Sequence, residues 1–326
     1  MKTILLSAPY MMDFLDRFIP VLKHYNLDVI VPEVKERLSE NEILVYAGKF
    51  DGAICGDDRY TSKVIEACSP RLKVISKWGT GIDSISQPAA ARFGVQVKRT
   101  ANAFTVPVSD TVLGYILSFA RNLPWMDELM KKGEWKKIAG RSLGECTLGV
   151  IGVGNVGKAV LRKASAFGMT LLGNDIIEID PDFVSSVGVE MTSLEDLLER
   201  SDFISLNCDL NPTSFHLMNA ERFASIKHGA IVINTARGPV IEESALIDAL
   251  RSGRVGGAGM DVFEAEPLPA DSPLLQFDNV LLAPHNSNSS PQAWEKVHWN
   301  TIRNLLEGLN IPCSDLGELQ AQESEQ

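Results

Sequence analysis

The run Leu148-Gly149-Val150-Ile151-Gly152-Val153-Gly154-Asn155-Val156-Gly157 constrains this chain more than any other stretch. It reads as a buried strand passing through G-x-G-x-x-G into a helix. Gly152 permits the tight turn, Gly154 lets backbone approach a pyrophosphate, and Gly157 lets helix and strand pack closely. The N-terminus of such a helix offers unpaired N–H groups and positive potential to phosphates. The next strand ends at Asn174-Asp175, eighteen residues beyond Gly157. A carboxylate there can accept from the adenosine ribose hydroxyls and would repel a 2′-phosphate, so the spacing favours NAD over NADP.

The surroundings have the rhythm such a motif needs. Six strand candidates, Thr147–Val153, Met169–Asn174, Phe203–Asn207, Ala230–Asn234, Gly257–Asp261 and Val280–Ala283, follow one another from residue 147. Helical stretches Lys158–Phe167, Leu194–Arg200, Ala220–Ile226 and Glu243–Ser252 separate most of them. This predicts an α/β fold with a Rossmann-type doubly wound parallel sheet. The first hundred residues also alternate: strands Thr3–Ala8, Asp28–Pro32, Gly52–Cys55, Lys73–Lys77 and Val95–Lys98 lie between segments such as Glu40–Gly48 and Ser62–Cys68. A helix is expected over Val108–Asn122, with Val112, Leu113, Ile116, Leu117, Phe119 and Ala120 covering much of its circumference, so it is buried in this chain or against a partner. A last amphipathic helix runs from Pro291 to about Gly308, and Ser314–Gln326 is polar, acidic and expected to fray.

Composition bounds the partners. A chain of 326 residues is expected to form two domains, and its 45% hydrophobic and 22% charged content is that of a folded soluble protein. The net charge of −11 argues against binding nucleic acid or acidic membrane, which need a basic surface. No apolar stretch reaches the roughly 18 residues of a membrane span, and Met1–Pro9 is too short an apolar run for a signal peptide, so it reads as the first strand. Five scattered cysteines, Cys55, Cys68, Cys146, Cys208 and Cys313, form no CxxC pair. They suggest buried thiols in a reducing cytoplasm, without a disulfide framework or a metal site.

Three constellations follow later strands of the large sheet: Asn234-Thr235-Ala236-Arg237-Gly238, Asp261-Val262-Phe263-Glu264-Ala265-Glu266-Pro267 and Ala283-Pro284-His285-Asn286. The carboxyl ends of parallel strands share one edge, so Arg237, Asp261, Glu266 and His285 can converge there. Their types match hydride transfer to a 2-oxo acid. Such a reaction needs a cation to orient the carboxylate and polarise the carbonyl, and an acid to protonate the developing alkoxide. Arg237 offers the planar fork, His285 titrates near neutrality, and Glu266 on the other ring nitrogen would stabilise the imidazolium. His24, His216, His228 and His298 lie on or beside helices and read as structural.

At these motifs the chain resembles the D-isomer-specific 2-hydroxyacid dehydrogenase family, most nearly its phosphoglycerate dehydrogenase branch, over almost its whole length. That family carries a glycine fingerprint, an Arg in N-x-x-R-G, a Glu in D-V-F-x-x-E-P and a His after Pro, in this order. The resemblance implies catalytic roles for Arg237, Glu266 and His285, and cofactor contacts at Gly152, Gly154, Asn155, Val156, Gly157, Asp175, Cys208, Thr235, Ala236 and Asp261, the last holding the nicotinamide carboxamide. Ser76-Lys77-Trp78-Gly79-Thr80-Gly81-Ile82-Asp83 is similar to the family's substrate loop, with the N–H groups of Trp78, Gly79 and Thr80 receiving the substrate carboxylate, and Lys77, Arg237 and His285 beside it. It implies further a discontinuous flavodoxin-like substrate domain, residues 1–100 and 287–326, an NAD-binding domain, residues 101–286, and a homodimer packed through the helix from Val108.

Several positions depart from the family pattern. Asn286-Ser287-Asn288 stands where isoleucine and two glycines are common, Cys208-Asp209-Leu210 where many relatives have a proline beside the adenine, and Val108-Ser109-Asp110 replaces V-A-E. Gly56-Asp57-Asp58 precedes Arg59 where phosphoglycerate enzymes often place an Arg earlier, and the regulatory domain some of them append is not expected here. Candidate substrates are 3-phosphoglycerate, glycerate with hydroxypyruvate, and glyoxylate. An NAD(H)-sensing, corepressor-like protein and a formate-oxidising enzyme are the alternatives on the same fold.

Overall fold

The short apolar runs of the sequence pair only in parallel in the computed structural model, which describes residues 1–324. The chain divides into two units, residues 1–103 with the segment from Ser290 on, and Phe104–Ser289.

In the first unit the strands are β1 (Lys2–Leu6), β2 (Leu27–Ile30), β3 (Gly52–Cys55), β4 (Val74–Lys77) and β5 (Gln96–Arg99), in the order β2-β1-β3-β4-β5. That is the flavodoxin-like order, whose switch point lies between β1 and β3. Both faces of β3 and β4 are buried, as apolar strands covered by crossover helices must be. The helix Pro291–Gly308 returns to this sheet, and the Ser76 hydroxyl donates to the Thr301 carbonyl at 2.8 Å. The tail differs from expectation: Leu316–Ser324 forms a helix instead of fraying, and residues 325–326 lie outside the described residues. Leu316 is buried, and the Asp315 carboxylate before it accepts from Tyr25 Oη at 2.7 Å and pairs with His24 Nε2 at 2.8 Å. One apolar anchor and two polar contacts hold what composition alone marked as loose.

In the second unit the strands are β6 (Thr147–Ile151), β7 (Thr170–Asn174), β8 (Glu190–Met191), β9 (Phe203–Leu206), β10 (Ala230–Asn234), β11 (Val255–Met260) and β12 (Val280–Leu282). Their order, β12-β11-β10-β9-β6-β7-β8, reverses between β6 and β9 and is that of a Rossmann-type sheet. The described sheet has seven strands where six were expected. The additional one, β8, is two residues long and carries no apolar run to announce it. The helix Thr105–Arg121 buries Val112, Leu113, Tyr115 and Ile116 within its own unit.

The amino end of this sheet is tied by one acid. Asp202, 8% exposed, accepts at Oδ1 from Arg141 Nη1 and Lys227 Nζ, each at 2.8 Å, and at Oδ2 from the Thr147 N–H at 2.8 Å. Burial alone would raise this carboxyl, but the bonds from Arg141, Lys227 and Thr147 outweigh it and hold it at about 2, below its ordinary 3.8. A depressed acid stabilises the fold above its unfolded value and loses that contribution as pH falls through the folded one. Asp202→Ala is therefore expected to lower unfolding free energy in urea by about 2 kcal/mol at neutral pH, because two cations lose their partner. The difference from wild type should shrink as pH falls from about 4 towards 2; an equal deficit at both ends contradicts the assignment.

Candidate active site

Gly152 closes the turn after β6 with φ +87°, and a Cβ on it would lie 2.6 Å from the Cys208 nitrogen. A Cβ on Gly157 would lie 2.1 Å from the Gly152 carbonyl oxygen, so this turn and the helix Asn155–Ala166 can touch only as glycines. Gly154 differs: a Cβ there meets nothing within 4 Å, and its residue caps the helix without a side-chain bond. Open space thus lies over the middle glycine, while Asn155 is exposed and Val156 half-buried in the first turn. Asp175, after β7, is half-buried. Its Oδ2 accepts from the Val153 N–H at 2.6 Å and its Oδ1 from the Ile177 N–H at 3.2 Å, which fixes the carboxylate beside the glycine turn.

Across the switch point, Asn207 Oδ1 and Thr235 Oγ1 are buried with no hydrogen-bond partner among the described residues. Polar atoms in this position at a sheet's carboxyl edge can take up the hydrogen bonds of a polar ligand. Burial pushes the half-buried Cys208 thiol up to about 11, so it stays neutral. The glycine cradle, the fixed carboxylate and the two orphaned atoms fit a dinucleotide laid across this edge.

Further along the edge, the buried Asn234 shapes the loop that carries Arg237. Its Oδ1 accepts from the Ala236 N–H at 3.0 Å and its Nδ2 donates to the Arg237 carbonyl at 2.9 Å, an Asx turn. Arg237 is half-buried, and its Nη1 donates to the Ala236 carbonyl at 2.8 Å. The next residue, Gly238, is pressed on the Phe263 carbonyl, where a Cβ would come within 1.9 Å. This sets the Arg237 loop directly against the loop that bears Glu266.

Glu266 and His285 meet. Glu266 Oε1 accepts from the Phe263 N–H at 3.0 Å, and Oε2 lies 3.1 Å from His285 Nδ1, with only 13% and 18% of the two side chains exposed. With Nδ1 against the carboxylate, Nε2 is the second ring nitrogen able to exchange a proton. His285 has φ +51°, unusual for a residue with a Cβ, and Asp261 holds it there. The Asp261 carbonyl accepts from the His285 N–H at 2.7 Å, its Oδ1 from the Asn286 N–H at 2.7 Å and its Oδ2 from the Ser287 N–H at 2.9 Å. Asp261 is 0% exposed, so the first task of this acid is to anchor the His285 loop, and only its remaining lone pairs are left for a carboxamide.

In the first unit the loop after β4 departs from expectation at two of its residues. The Trp78 N–H donates to the Cys55 carbonyl at 2.8 Å and is not available to a ligand, which leaves the N–H groups of Gly79 and Thr80 without a protein partner among the described residues. Lys77 does not reach outward: its side chain is 6% exposed, and its Nζ donates to the Trp78 carbonyl at 2.8 Å and lies 3.3 Å from Asp57 Oδ1. A trans peptide sets N–H opposite C=O, so by holding the Trp78 carbonyl Lys77 turns the Gly79 N–H away from itself. Gly79 has φ +113°, and its carbonyl accepts from the Thr100 N–H at 2.9 Å. His298 is buried and accepts at Nδ1 from Trp78 Nε1 at 2.9 Å; burial lowers it to about 4, so it is a neutral structural support of the same loop.

The motifs assign roles to Arg237, Glu266 and His285 but none to Asn234 and Asp57, which stand in the same or neighbouring motifs. The Asn at the head of N-x-x-R-G carried a signal, since Asn favours turns of this kind. Nothing local could show that Asp57 meets Lys77 across adjacent strands.

Known proteins resemble this chain over most of its length. The model of the D-isomer specific 2-hydroxyacid dehydrogenase family, NAD binding domain, matches residues 113–287. A glyoxylate reductase of Thermofilum pendens is 37% identical over 86% of this chain and 84% of its own length. A D-3-phosphoglycerate dehydrogenase of Methanocaldococcus jannaschii is 36% identical over 88% of this chain, which spans only 56% of that protein. Among solved structures, D-lactate dehydrogenase from Aquifex aeolicus, complexed with NAD and lactic acid, superposes with a TM-score of 0.81 at 27% identity, covering 94% of this chain and 97% of that one.

Proposed function

The chain belongs to the D-isomer specific 2-hydroxyacid dehydrogenase family and is an NAD-dependent dehydrogenase; on that premise we propose that it moves a hydride between the nicotinamide and C2 of a small D-2-hydroxy acid or its 2-oxo partner, with Arg237, Glu266 and His285 as its catalytic residues. The observation that carries this reading is the His285 Nδ1 to Glu266 Oε2 contact at 3.1 Å, on a loop packed against the one that bears Arg237.

The bound cofactor supplies or takes the hydride. The chain's own residues do the rest. The Arg237 guanidinium pairs with the substrate carboxylate and polarises the C2 carbonyl. His285, held as an imidazolium by Glu266, gives the proton on Nε2 to the oxygen that becomes the alcohol, and takes it back in the oxidation direction. The Gly79 and Thr80 N–H groups receive the carboxylate in a substrate domain of residues 1–100 and 287–326, bounds within three residues of those of the first unit. Residues 101–286 act as the NAD domain, with Asp175 on the ribose, Gly154, Asn155 and Val156 at the pyrophosphate, Cys208 by the adenine, and Thr235, Ala236 and Asp261 towards the nicotinamide. The names of the relatives leave glyoxylate, hydroxypyruvate and 3-phosphohydroxypyruvate as substrates to rank. The paired acid and base favour turnover over a sensing role, which needs no proton donor.

Two further properties belong to this reading. The protein works in the cytoplasm, for which five unpaired cysteines are the support. It is a homodimer, for which exposed Leu123, Met130 and Trp135, clustered in one short segment of the NAD domain, are the support.

Purified protein given NADH and a panel of 2-oxo acids should turn over at least one of them, and His285→Ala should lower kcat by about a thousandfold while still binding NADH. Normal NADH binding with no turnover of any acid would end the catalytic reading. In sedimentation the wild type should run at twice the mass of one chain and Trp135→Glu should shift towards one; a wild-type single chain contradicts the dimer.

A further inference from the structure

We propose that the 2-oxo acid this protein reduces carries an uncharged, apolar group beyond its carbonyl, received by the half-buried rings of Tyr10 and Trp294, and that a phosphate ester is a poor substrate. This rests on the dehydrogenase reading above and narrows its substrate class.

Three loops leave the carboxyl edge of the smaller sheet beside its switch point: Ser7–Tyr10 after β1, Gly56–Asp58 after β3 and Trp78–Thr80 after β4. In an open parallel sheet this is where ligands are held. The residues gathered there are aromatic. Tyr10 stacks on Trp78 with 4.2 Å between ring centres and 16° between planes, and Trp294 meets these two rings edge-on at 5.2 and 6.1 Å. Trp78 is 1% exposed, fixed from below by its bond to His298, whereas Tyr10 and Trp294 are only half-buried. The outer two rings therefore form an apolar surface next to Gly79 and Thr80, the backbone donors assigned to the substrate carboxylate.

The charges around the cluster are unsuited to a second anion. Lys77, which touches the Trp78 carbonyl, is paired with Asp57. Arg17, whose guanidinium sits 5.0 Å from the centre of the Phe18 ring packed on His298, is bound by both oxygens of Glu295 at 2.9 and 3.2 Å. Asp57, which follows β3 after Gly56, is half-buried and adds a carboxylate, whereas the fully buried Asp58 accepts from the Ser7 hydroxyl at 2.6 Å and from the Leu38 N–H and takes no part in this surface. A phosphate here would meet the Asp57 carboxylate and committed cations, whereas an alkyl or aryl group would meet rings that give up little on losing water. The exposed cation nearest this loop is Arg99, whose Nη1 donates to the Thr80 carbonyl at 3.1 Å, and a phosphate would have to draw it, or the exposed Arg59, away from its place.

The test is NADH-linked kinetics of the full chain with glyoxylate, 4-methyl-2-oxopentanoate, phenylpyruvate and 3-phosphohydroxypyruvate. The inference expects kcat/KM for one of the two apolar acids to exceed that for 3-phosphohydroxypyruvate by at least about a hundredfold. It expects Trp294→Ala and Tyr10→Leu each to lower the ratio of apolar acid to glyoxylate by about tenfold. A preference for 3-phosphohydroxypyruvate, lost in Arg59→Ala or Arg99→Ala, overturns it, as does a ratio unmoved in both aromatic variants. Brisk reduction of glyoxylate with no gain from an apolar group removes this inference alone. Failure to reduce any acid removes the dehydrogenase reading with it.

Discussion

The carboxyl edge of the larger sheet is held in working order by Asp261, a fully buried acid with three main-chain contacts. Its carbonyl and both side-chain oxygens accept from the consecutive N–H groups of His285, Asn286 and Ser287. A left-handed conformation at a non-glycine residue costs about 1 kcal/mol or more, and charge-assisted bonds in a dry environment can offset it. Without that clamp the end of β12 would release His285, the 3.1 Å contact with Glu266 would have no fixed partner, and the Arg237 loop would face an unordered neighbour. The departure Asn286-Ser287-Asn288 sits inside the clamp, where it contributes main-chain donors that any residue other than proline could supply.

The two ends of that sheet divide their labour. At the amino end Asp202 gathers Arg141, Lys227 and the start of β6 into an ion-paired node. At the carboxyl end the polar groups are fixed but not all satisfied: Asn207 and Thr235 keep buried atoms without partners, and Gly154 faces open space. Parallel topology produces this asymmetry, because every strand delivers its loop to the same edge and the crossover helices cover the faces. The smaller sheet repeats the arrangement in the order β2-β1-β3-β4-β5 and places its ring cluster and its Gly79 and Thr80 donors at the corresponding edge.

Much of the fold was legible because long apolar runs and their spacing are local signals. The strand Thr147–Ile151, the glycine turn and the helices Leu194–Arg200 and Ser62–Cys68 stand where periodicity put them. What escaped was short or depended on distant residues. The two-residue β8 has no period, the helix Leu15–His24 contains Pro20, which reads as a breaker, and the tail helix depends on Leu316, Tyr25 and His24 meeting Asp315. In the candidate site the residue types were readable from their motifs, but their use of hydrogen bonds was not. The Trp78 N–H is taken by Cys55, Lys77 turns inward to its own loop, and Asp261 gives both oxygens to the backbone. The first and last of these join separate strands, and Lys77 meets Asp57 beyond the neighbouring strand, none of which a linear sequence displays.

The central claim is that His285, held by Glu266, donates the proton in reduction. The most direct measurement is the pH dependence of kcat/KM for 2-oxo acid reduction in wild type and Glu266→Gln. A carboxylate against the ring favours the imidazolium, so its removal should move the alkaline fall in rate to lower pH while NADH binding is retained. An alkaline limb at the same pH in both proteins would mean that the Glu266 contact does not govern the proton donor, and the account of the site would fail.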